Sequence, residues 1–450
     1  MMLSTLTRAT RGRQIGEDVS IDAVSIDTRT LKSGALFVAL SGPNFDGHDY
    51  LATAREKGAS AVMVARQMDI DLPQIVVPRP AQALGEMAAW WRSCFIMPLV
   101  AVTGSNGKTS VKEMLAAIFN QASQHVLATA GNLNNDLGVP LTLMRLRGSH
   151  DYAVIEMGMN NPGELTYLTN LAKPDVAVIT NAAAAHLEGL SGLEEVALAK
   201  GEILAGLSDT GIAVLNADDA YYPTWKKLAG SHRVISFAVD KEADVSAEYE
   251  LLPEATRLQL KTPWGAGECT LAVPGRHNVA NALAAAAAAG AAGVGIEAIA
   301  QGLSQWQGVK GRLQRQVIGD IQLIDDSYNA NPASMQAGIE VLAAQPGTTF
   351  LIMGDMKELG DDAADLHASV GEQAAQAGID ELYGLGEMSR TACQRYGAQA
   401  RHFSDLDSLV ADLLVKLKNA SGQVTVLVKG SRSMHMERVV AALTSTLGGN

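Results

Sequence analysis

The chain has little cysteine. Cys94, Cys269 and Cys393 stand far apart among 450 residues and form no CxxC pair. That excludes a disulfide framework and a thiolate metal site. Long apolar runs are also missing. The longest, residues 282–296, is mostly Ala and Gly, and a spanning helix would need about 18 apolar residues. Such a segment suits close packing inside a soluble protein. Positive charge is in deficit, with 35 Lys and Arg against 48 Asp and Glu and a net charge of −13. Wrapping nucleic acid or lying on an anionic membrane calls for the opposite balance. Residues 1–16 carry basic side chains but no apolar core for a signal peptide. There is no internal repeat and no low-complexity segment. A soluble, cytoplasmic protein is expected.

What is present is enough apolar material for ordinary cores, 47% of residues, and at about 150 residues per domain a length that suggests three domains. The first zone, to about Met97, mixes short apolar runs (35–40, 61–65) with Gly, Pro and Asx turns, then a proline-rich 72–80 and an amphipathic helix over 82–91. A boundary is expected near 93–98. The middle zone has buried strand-like runs at 99–103, 152–157, 176–180 and 212–216, several separated by helix-like segments, and a helix over 273–300 opened by a turn at 274–278. Buried strands alternating with helices imply a parallel sheet covered on both faces. After Arg312 come strands at 322–324, 349–353, 382–385 and 425–428, three of which run into Gly354, Gly386 and Gly430. Ligands gather at the carboxyl ends of strands in open α/β sheets. The expected architecture is two large α/β domains behind a smaller mixed N-terminal one.

The sharpest local signal is LVAVTGSNGKTS, residues 99–110. A strand ends at Thr103, a glycine loop follows, and Lys108-Thr109 opens a helix carrying Val111, Met114, Leu115 and Ile118. Loop amides can curl around phosphates, the helix N-terminus adds a favourable field, lysine supplies a cation and a hydroxyl can ligate Mg²⁺. The common nucleotide-binding pattern has glycine five positions before Gly107, where this chain has Val102. The loop is a variant.

Other candidates are weaker by themselves. Glu156 ends the strand YAVIEMG, where a carboxylate can hold the metal or merely cap a helix. His186, past the strand VAVIT, reads as a packed or solvated histidine unless its neighbours form a phosphate site. Lys200, in ALAKGEIL, gains no role from its residues alone. Asp325 and Asp326 lead into SYNANP (327–332), which suits a ligand loop or an Asx-rich turn equally. In GRHNVAN (275–281), Asn278 and Asn281 suit either ligand contact or helix capping.

In this order the motifs resemble the Mur ligase family, the ATP-dependent amide-forming enzymes of bacterial cell-wall synthesis. The family's loop reads TGxxGKT, here Thr103, Gly104, Ser105, Asn106, Gly107, Lys108 and Thr109, followed by Ser110. Then come GNLNND (131–136), EMG (156–158), NAAAAHLE (181–188), AKGEI (199–203), GRHNVANALAA (275–285) and GRLQ (311–314). In the third zone DDSYNANP (325–332), MGDMKELG (353–360) and LVKGSRSMHME (427–437) are similar to the member that takes a dipeptide, and the sister enzyme's DNPR is absent. SIDTR (25–29), GALFVALSG (34–42) and NFDGHDY (44–50) resemble the family's uridine-nucleotide-binding domain.

The resemblance implies three α/β domains: a small mixed N-terminal domain (1–96), a central P-loop parallel-sheet ATPase domain (97–312) and a C-terminal Rossmann-like domain (313–450). It implies an amide ligase joining D-alanyl-D-alanine to UDP-N-acetylmuramoyl-tripeptide through an acyl phosphate, using ATP and Mg²⁺. Lys108 and the loop amides would hold the phosphates, Thr109 and Glu156 one Mg²⁺, and His186 a second. Lys200 would be carbamylated and join the metal set. Asn281 would meet adenine with Asn278 shaping the turn, Arg312 would steady the phosphates, and Asp326 would hold the ribose. Ser25, Thr28, Arg29, Asn44 and Asp46 are the candidates for the UDP-sugar, Asn134 and Asn135 for the muramoyl peptide, and Tyr328, Asn329 and Asn331 for the dipeptide. A monomer, with no nucleic-acid partner and no integral membrane segment, is expected. Three rivals remain: a sister or folate-type ligase, a switch NTPase acting through a protein partner, and a non-enzymatic descendant.

Overall fold

The computed structural model describes residues 1–183, 192–420 and 422–448. Three sheets organise three domains. The first has five short strands in the order Arg13–Ile15, Gln74–Val76, Ala61–Val64, Ala35–Val38, Ala23–Ser25, parallel except for the first. Its closing helix, Pro80–Ser93, is pinned to the next domain: the Arg92 side chain donates to the carbonyls of Ala172 and Lys173, and Trp91 Nε1 to that of Leu146.

The central sheet is all parallel, in the order Arg233–Phe237, Ile212–Asn216, Val176–Ile179, Leu99–Thr103, Tyr152–Glu156, Val126–Ala128. Its middle strands are apolar runs because helices cover both faces. In the helix Lys108–Ala122, Val111, Met114, Leu115, Ile118 and Phe119 recur at the i, i+3, i+4, i+7, i+8 spacing of one stripe, and all are fully buried. Burying each contributes about 1.5–3 kcal/mol, and Phe119 also stacks on Tyr152 with centroids 4.4 Å apart. Truncating Leu115 to Ala would cost about 2–5 kcal/mol. This packing holds the start of the helix, and so the phosphate loop, against the sheet.

Among the departures from the sequence expectation are the following two. The helix expected over 273–300 is two helices, Arg276–Ala291 and Ile296–Gln305. The break is at Gly293, whose φ of +91° only glycine adopts readily and which lets Val294 N–H turn back to Ala289 C=O. A three-stranded antiparallel sheet, Ser246–Leu251, Thr256–Thr262 and Gly265–Leu271, was not anticipated. Its middle strand alternates buried Thr256, Leu258 and Leu260 with exposed residues, the pattern of a sheet packed on one face.

The third domain has the order Gln314–Ile318, Ile321–Asp326, Val424–Lys429, Thr348–Gly354, Glu381–Leu385, Ala400–Phe403, with only the first pair antiparallel. Among the described residues no helix is long and apolar enough to cross a membrane.

Candidate active site

A cavity of about 870 Å³ opens where the carboxyl ends of the central strands face the third domain. Its floor is the phosphate loop. Gly107 has φ +83°, and a Cβ there would overlap the amide oxygen of Asn281, so the loop approaches the Arg276–Ala291 helix as only glycine allows. Val102 is a fully buried strand residue paired with Val178 and Glu156, which explains why the first glycine of the common pattern has no place here. Lys108 Nζ donates to the carbonyls of Gly104 (2.6 Å) and Ser105 (3.3 Å). Burial, with the charge of Arg312, lowers its ammonium to about 8, while Glu156 opposes the shift.

Glu156 is 2% exposed. One carboxylate oxygen accepts from Asn134 Nδ2 at 2.8 Å; the other is buried and has no hydrogen-bond partner among the described residues, as is Thr103 Oγ1. Thr109 Oγ1 accepts from Arg312 Nη2 at 3.1 Å, a contact between residues 203 apart in sequence. Asn135 Oδ1 accepts from Gly138 N–H at the start of the helix Gly138–Leu143. Lys200 is 1% exposed and does not line the cavity, and burial, reinforced by the charge of Lys108, holds its amine well below the ordinary lysine range. His186 lies outside the described residues.

The opposite wall comes from the third domain and the linker before it. Asp326 accepts from Lys429 Nζ at 2.6 Å and from Leu313 N–H at 3.2 Å. Leu313 sits at φ +50°, a left-handed conformation costly for a branched residue, in the chain that joins the two domains. The Tyr328 ring lies under the Arg312 guanidinium at 4.6 Å. Asn329 Oδ1 accepts from the amides of Ala330 and Arg432. Asn331 caps the helix Pro332–Ala343, and its Nδ2 donates to Asn106 Oδ1 at 2.8 Å. Asn278 Nδ2 donates to Pro274 C=O, while Asn281 faces Gly107.

The cavity thus gathers Ser105 to Ser110, Asn134, Asn135, Glu156, Asn278, Asn281, Arg312, Asp326, Tyr328, Asn329 and Asn331. The first-domain candidates do not line it. There Ser25 Oγ bonds with the Asp27 backbone, and Asp27 holds Arg29 by backbone and side chain, in a turn that also contains Thr28. Asn44 is exposed in the turn of the Ser41–Gly42 and Phe45–Asp46 hairpin. The His48 amide, with the His48 ring and Ser41 hydroxyl, holds Asp46 well below the usual carboxylate range.

Sequence reasoning missed several cavity residues: His277, Trp306, Lys357, Lys429, Arg432 and His435. His277, Lys357, Lys429, Arg432 and His435 lie inside segments already singled out, so proximity to those motifs was the available signal. Trp306 offered none.

Three family models match: Mur ligase family, catalytic domain, over residues 20–92; Mur ligase middle domain over 102–289; and Mur ligase, glutamate ligase domain, over 311–432. The UDP-N-acetylmuramoyl-tripeptide--D-alanyl-D-alanine ligase of Escherichia coli (strain K12) is 47% identical over 445 residues, 98% of either chain. A crystal structure of MurF from Acinetobacter baumannii superposes with a TM-score of 0.93 at 37% identity, covering 98% of each chain. MurF ligase from Thermotoga maritima in complex with ADP superposes at 0.83 with 27% identity, covering 95% of this chain and 98% of that one. The chain described here belongs to the Mur ligase family.

Proposed function

We propose that this chain joins D-alanyl-D-alanine to UDP-N-acetylmuramoyl-tripeptide with cleavage of ATP, the substrates for which its Escherichia coli relative is named. The observation that carries the reading is the two-sided cavity. A phosphate loop forms one wall, and polar groups of the domain junction and the third domain face it at hydrogen-bond distance, Arg312 at Thr109 and Asn331 at Asn106. The ADP complex of the Thermotoga maritima relative supports ATP as the nucleotide. We assign the UDP-substrate domain to 1–96, the ATP-binding domain to 97–312 and the third domain to 313–450.

A carboxylate is a poor electrophile at neutral pH, so it is activated first. A carboxylate oxygen of the tripeptide attacks the γ-phosphorus, the bond to ADP breaks, and an acyl phosphate forms. The dipeptide amine then attacks the acyl carbon, phosphate leaves with the bridging oxygen, and the amine gives up a proton. Most of the catalysis is positioning and neutralisation of phosphoryl charge. Lys108 and Arg312 approach that charge from opposite walls. Closing the third domain over the loop also keeps water from the acyl phosphate.

Mg²⁺ fits the oxygen donors present: the unpartnered oxygen of Glu156 and the hydroxyl of Thr109 are hard ligands. When bound it would neutralise phosphate charge. The neutral Lys200 amine that burial favours is the form that combines with CO₂, losing one proton to become a carbamate anion. That converts a buried neutral amine into an anionic oxygen donor suited to the same metal set. We place the adenosine at Asn278, Asn281 and Asp326, the dipeptide near Tyr328 and Asn329, the muramoyl peptide near Asn134 and Asn135, and the UDP group at Ser25, Thr28, Arg29, Asn44 and Asp46.

The test is phosphate release from ATP and Mg²⁺, with the UDP-tripeptide and the dipeptide each present or absent. Release that needs both, with a pentapeptide product by mass, is expected. Release indifferent to both would identify a switch NTPase instead. Release triggered by a single amino acid and not by the dipeptide would point to a sister ligase.

A further inference from the structure

Two side chains reach across from the third-domain side to the phosphate loop. Arg312 lands on Thr109, and Asn331 lands on Asn106. The second contact joins residues 225 apart in sequence, and Asn331 is 9% exposed.

Every polar group of Asn331 is committed. Its Oδ1 accepts from Ser334 N–H at 2.9 Å, and its own N–H donates to Ser334 Oγ at 3.0 Å, closing a capping box on Pro332–Ala343. With Oδ1 engaged by the helix, the amide has one orientation, and Nδ2 must face Asn106. The helix start therefore aims the donor.

Asn106 is held just as firmly from behind. Its N–H donates to Asn181 Oδ1 at 2.9 Å, and its C=O accepts from Thr180 Oγ1 at 2.5 Å and Asn181 Nδ2 at 3.2 Å. Its backbone is thus tied to the chain leaving the strand Val176–Ile179, and its side-chain oxygen is what meets the third domain. Asn106 immediately precedes Gly107 and the start of the helix Lys108–Ala122, whose first amides are the ones a phosphate would meet.

We propose that Asn331 is a positioning residue for the phosphate loop, holding Asn106 so that the seating of the third domain presets the loop for the triphosphate. The inference rests on the reading of this loop as an ATP site and assigns Asn331 to the loop rather than to the dipeptide. Transmission is local: helix cap to carboxamide, carboxamide to loop side chain, side chain to loop peptide.

The test uses the full chain and two variants. Asn331→Ser keeps a good capping hydroxyl without adding charge, but it is too short to reach Asn106. Asn106→Ala removes the acceptor without touching the helix. Binding of a non-hydrolysable ATP analogue is measured by calorimetry, and the KM values for ATP and D-alanyl-D-alanine by phosphate release. Each variant should weaken the analogue roughly fivefold, the loss of one neutral hydrogen bond, and raise the ATP KM similarly while the dipeptide KM stays put. The double variant should be no worse than either single one. Analogue binding equal to that of the parent in both variants would overturn the proposal, as would a rise in the dipeptide KM alone. So would additive losses in the double variant. If Asn331→Ser fails to fold, Asn106→Ala alone still decides by the same two KM values. A parent chain that binds no analogue would remove the ATP reading itself; a parent that binds, with variants that match it, would remove only the positioning role.

Discussion

One wall of the cavity is built on a single stretch of chain, residues 105–110, braced by its own helix and by Thr180 and Asn181 from the neighbouring strand end. The other draws on the linker at 311–313, the turn at 326–334 and the segment at 429–435, which meet only because the third sheet places two strand ends side by side. Most hydrogen bonds that shape the first wall lie within one domain, with single additions from Asn331 and Arg312 on the other side. The second depends on Asp326 holding both Lys429 and the linker amide of Leu313, so its geometry is tied to the angle between domains. A loop braced in this way is preorganised for charge, while a wall hung on a linker can open and close. Substitutions on the two sides should therefore fail differently.

The largest effect belongs to the rigid wall. Lys108→Ala removes the loop cation and should lower kcat by on the order of 10³-fold, with melting temperature little changed. Steady-state phosphate release and thermal melts check this. A variant keeping a tenth of the activity would mean that the loop amides alone carry the phosphate charge.

On the hinged wall the first consequence should be stability. Lys429 and Asp326 form a buried pair, with side chains 4% and 11% exposed. Lys429→Met leaves the carboxylate uncompensated and should destabilise the third domain by about 3 kcal/mol, read by chemical denaturation. An unaltered midpoint would show that the amide of Leu313 suffices to hold Asp326. Arg312→Ala should leave folding intact and lower turnover by on the order of 10²-fold. Binding of the UDP substrate should persist, since its proposed UDP contacts lie in the first domain and Arg312 is not among its proposed contacts. Equal loss of turnover and UDP-substrate binding would break the division between the walls.

The same contrast explains what could be read beforehand. The rigid wall was legible because its chemistry is contiguous: Thr103 through Thr109 follow a strand and open a helix, and Glu156 ends the adjacent strand. The central and third sheets were legible as apolar runs, though the edge strands Val126–Ala128, Arg233–Phe237, Gln314–Ile318 and Ala400–Phe403, shorter or more polar, were missed. The helix break at Gly293 was hidden by alanines that suit a helix on both sides of it. Lys429 and His277 lay inside recognisable motifs, but their own roles emerged only in the fold, because their partners are remote in sequence. Asn331 looked like a ligand-loop or Asx-turn residue, and it is a helix cap that also touches the phosphate loop. Lys200 shows the limit most plainly. A lysine in a helix carries no signal until the fold buries it beside another lysine.

The smallest expected effect tests the hinged wall from its other side. His277 lines the cavity at the start of the Arg276–Ala291 helix, and burial, with the charge of Lys429, lowers its imidazole to about 4 against the pull of Asp326. The unfolded chain takes up that proton near the ordinary histidine value of 6.5, and the folded chain resists it until about pH 4. Between those values the unfolded state binds more protons, so stability falls as the pH is lowered through this window and levels off below it. The ring is partly open to the cavity, so about 2 kcal/mol is expected across the window. His277→Asn removes the titrating group. Its denaturation midpoint should decline less steeply than that of the parent from pH 6.5 to 4, with the two slopes converging above 6.5. Identical slopes would mean that the cavity admits enough water, or that Asp326 turns far enough from Lys429, to accept the imidazolium without loss. In that case the hinged wall would be looser than its hydrogen bonds imply, and the contrast between the two walls would be sharper still.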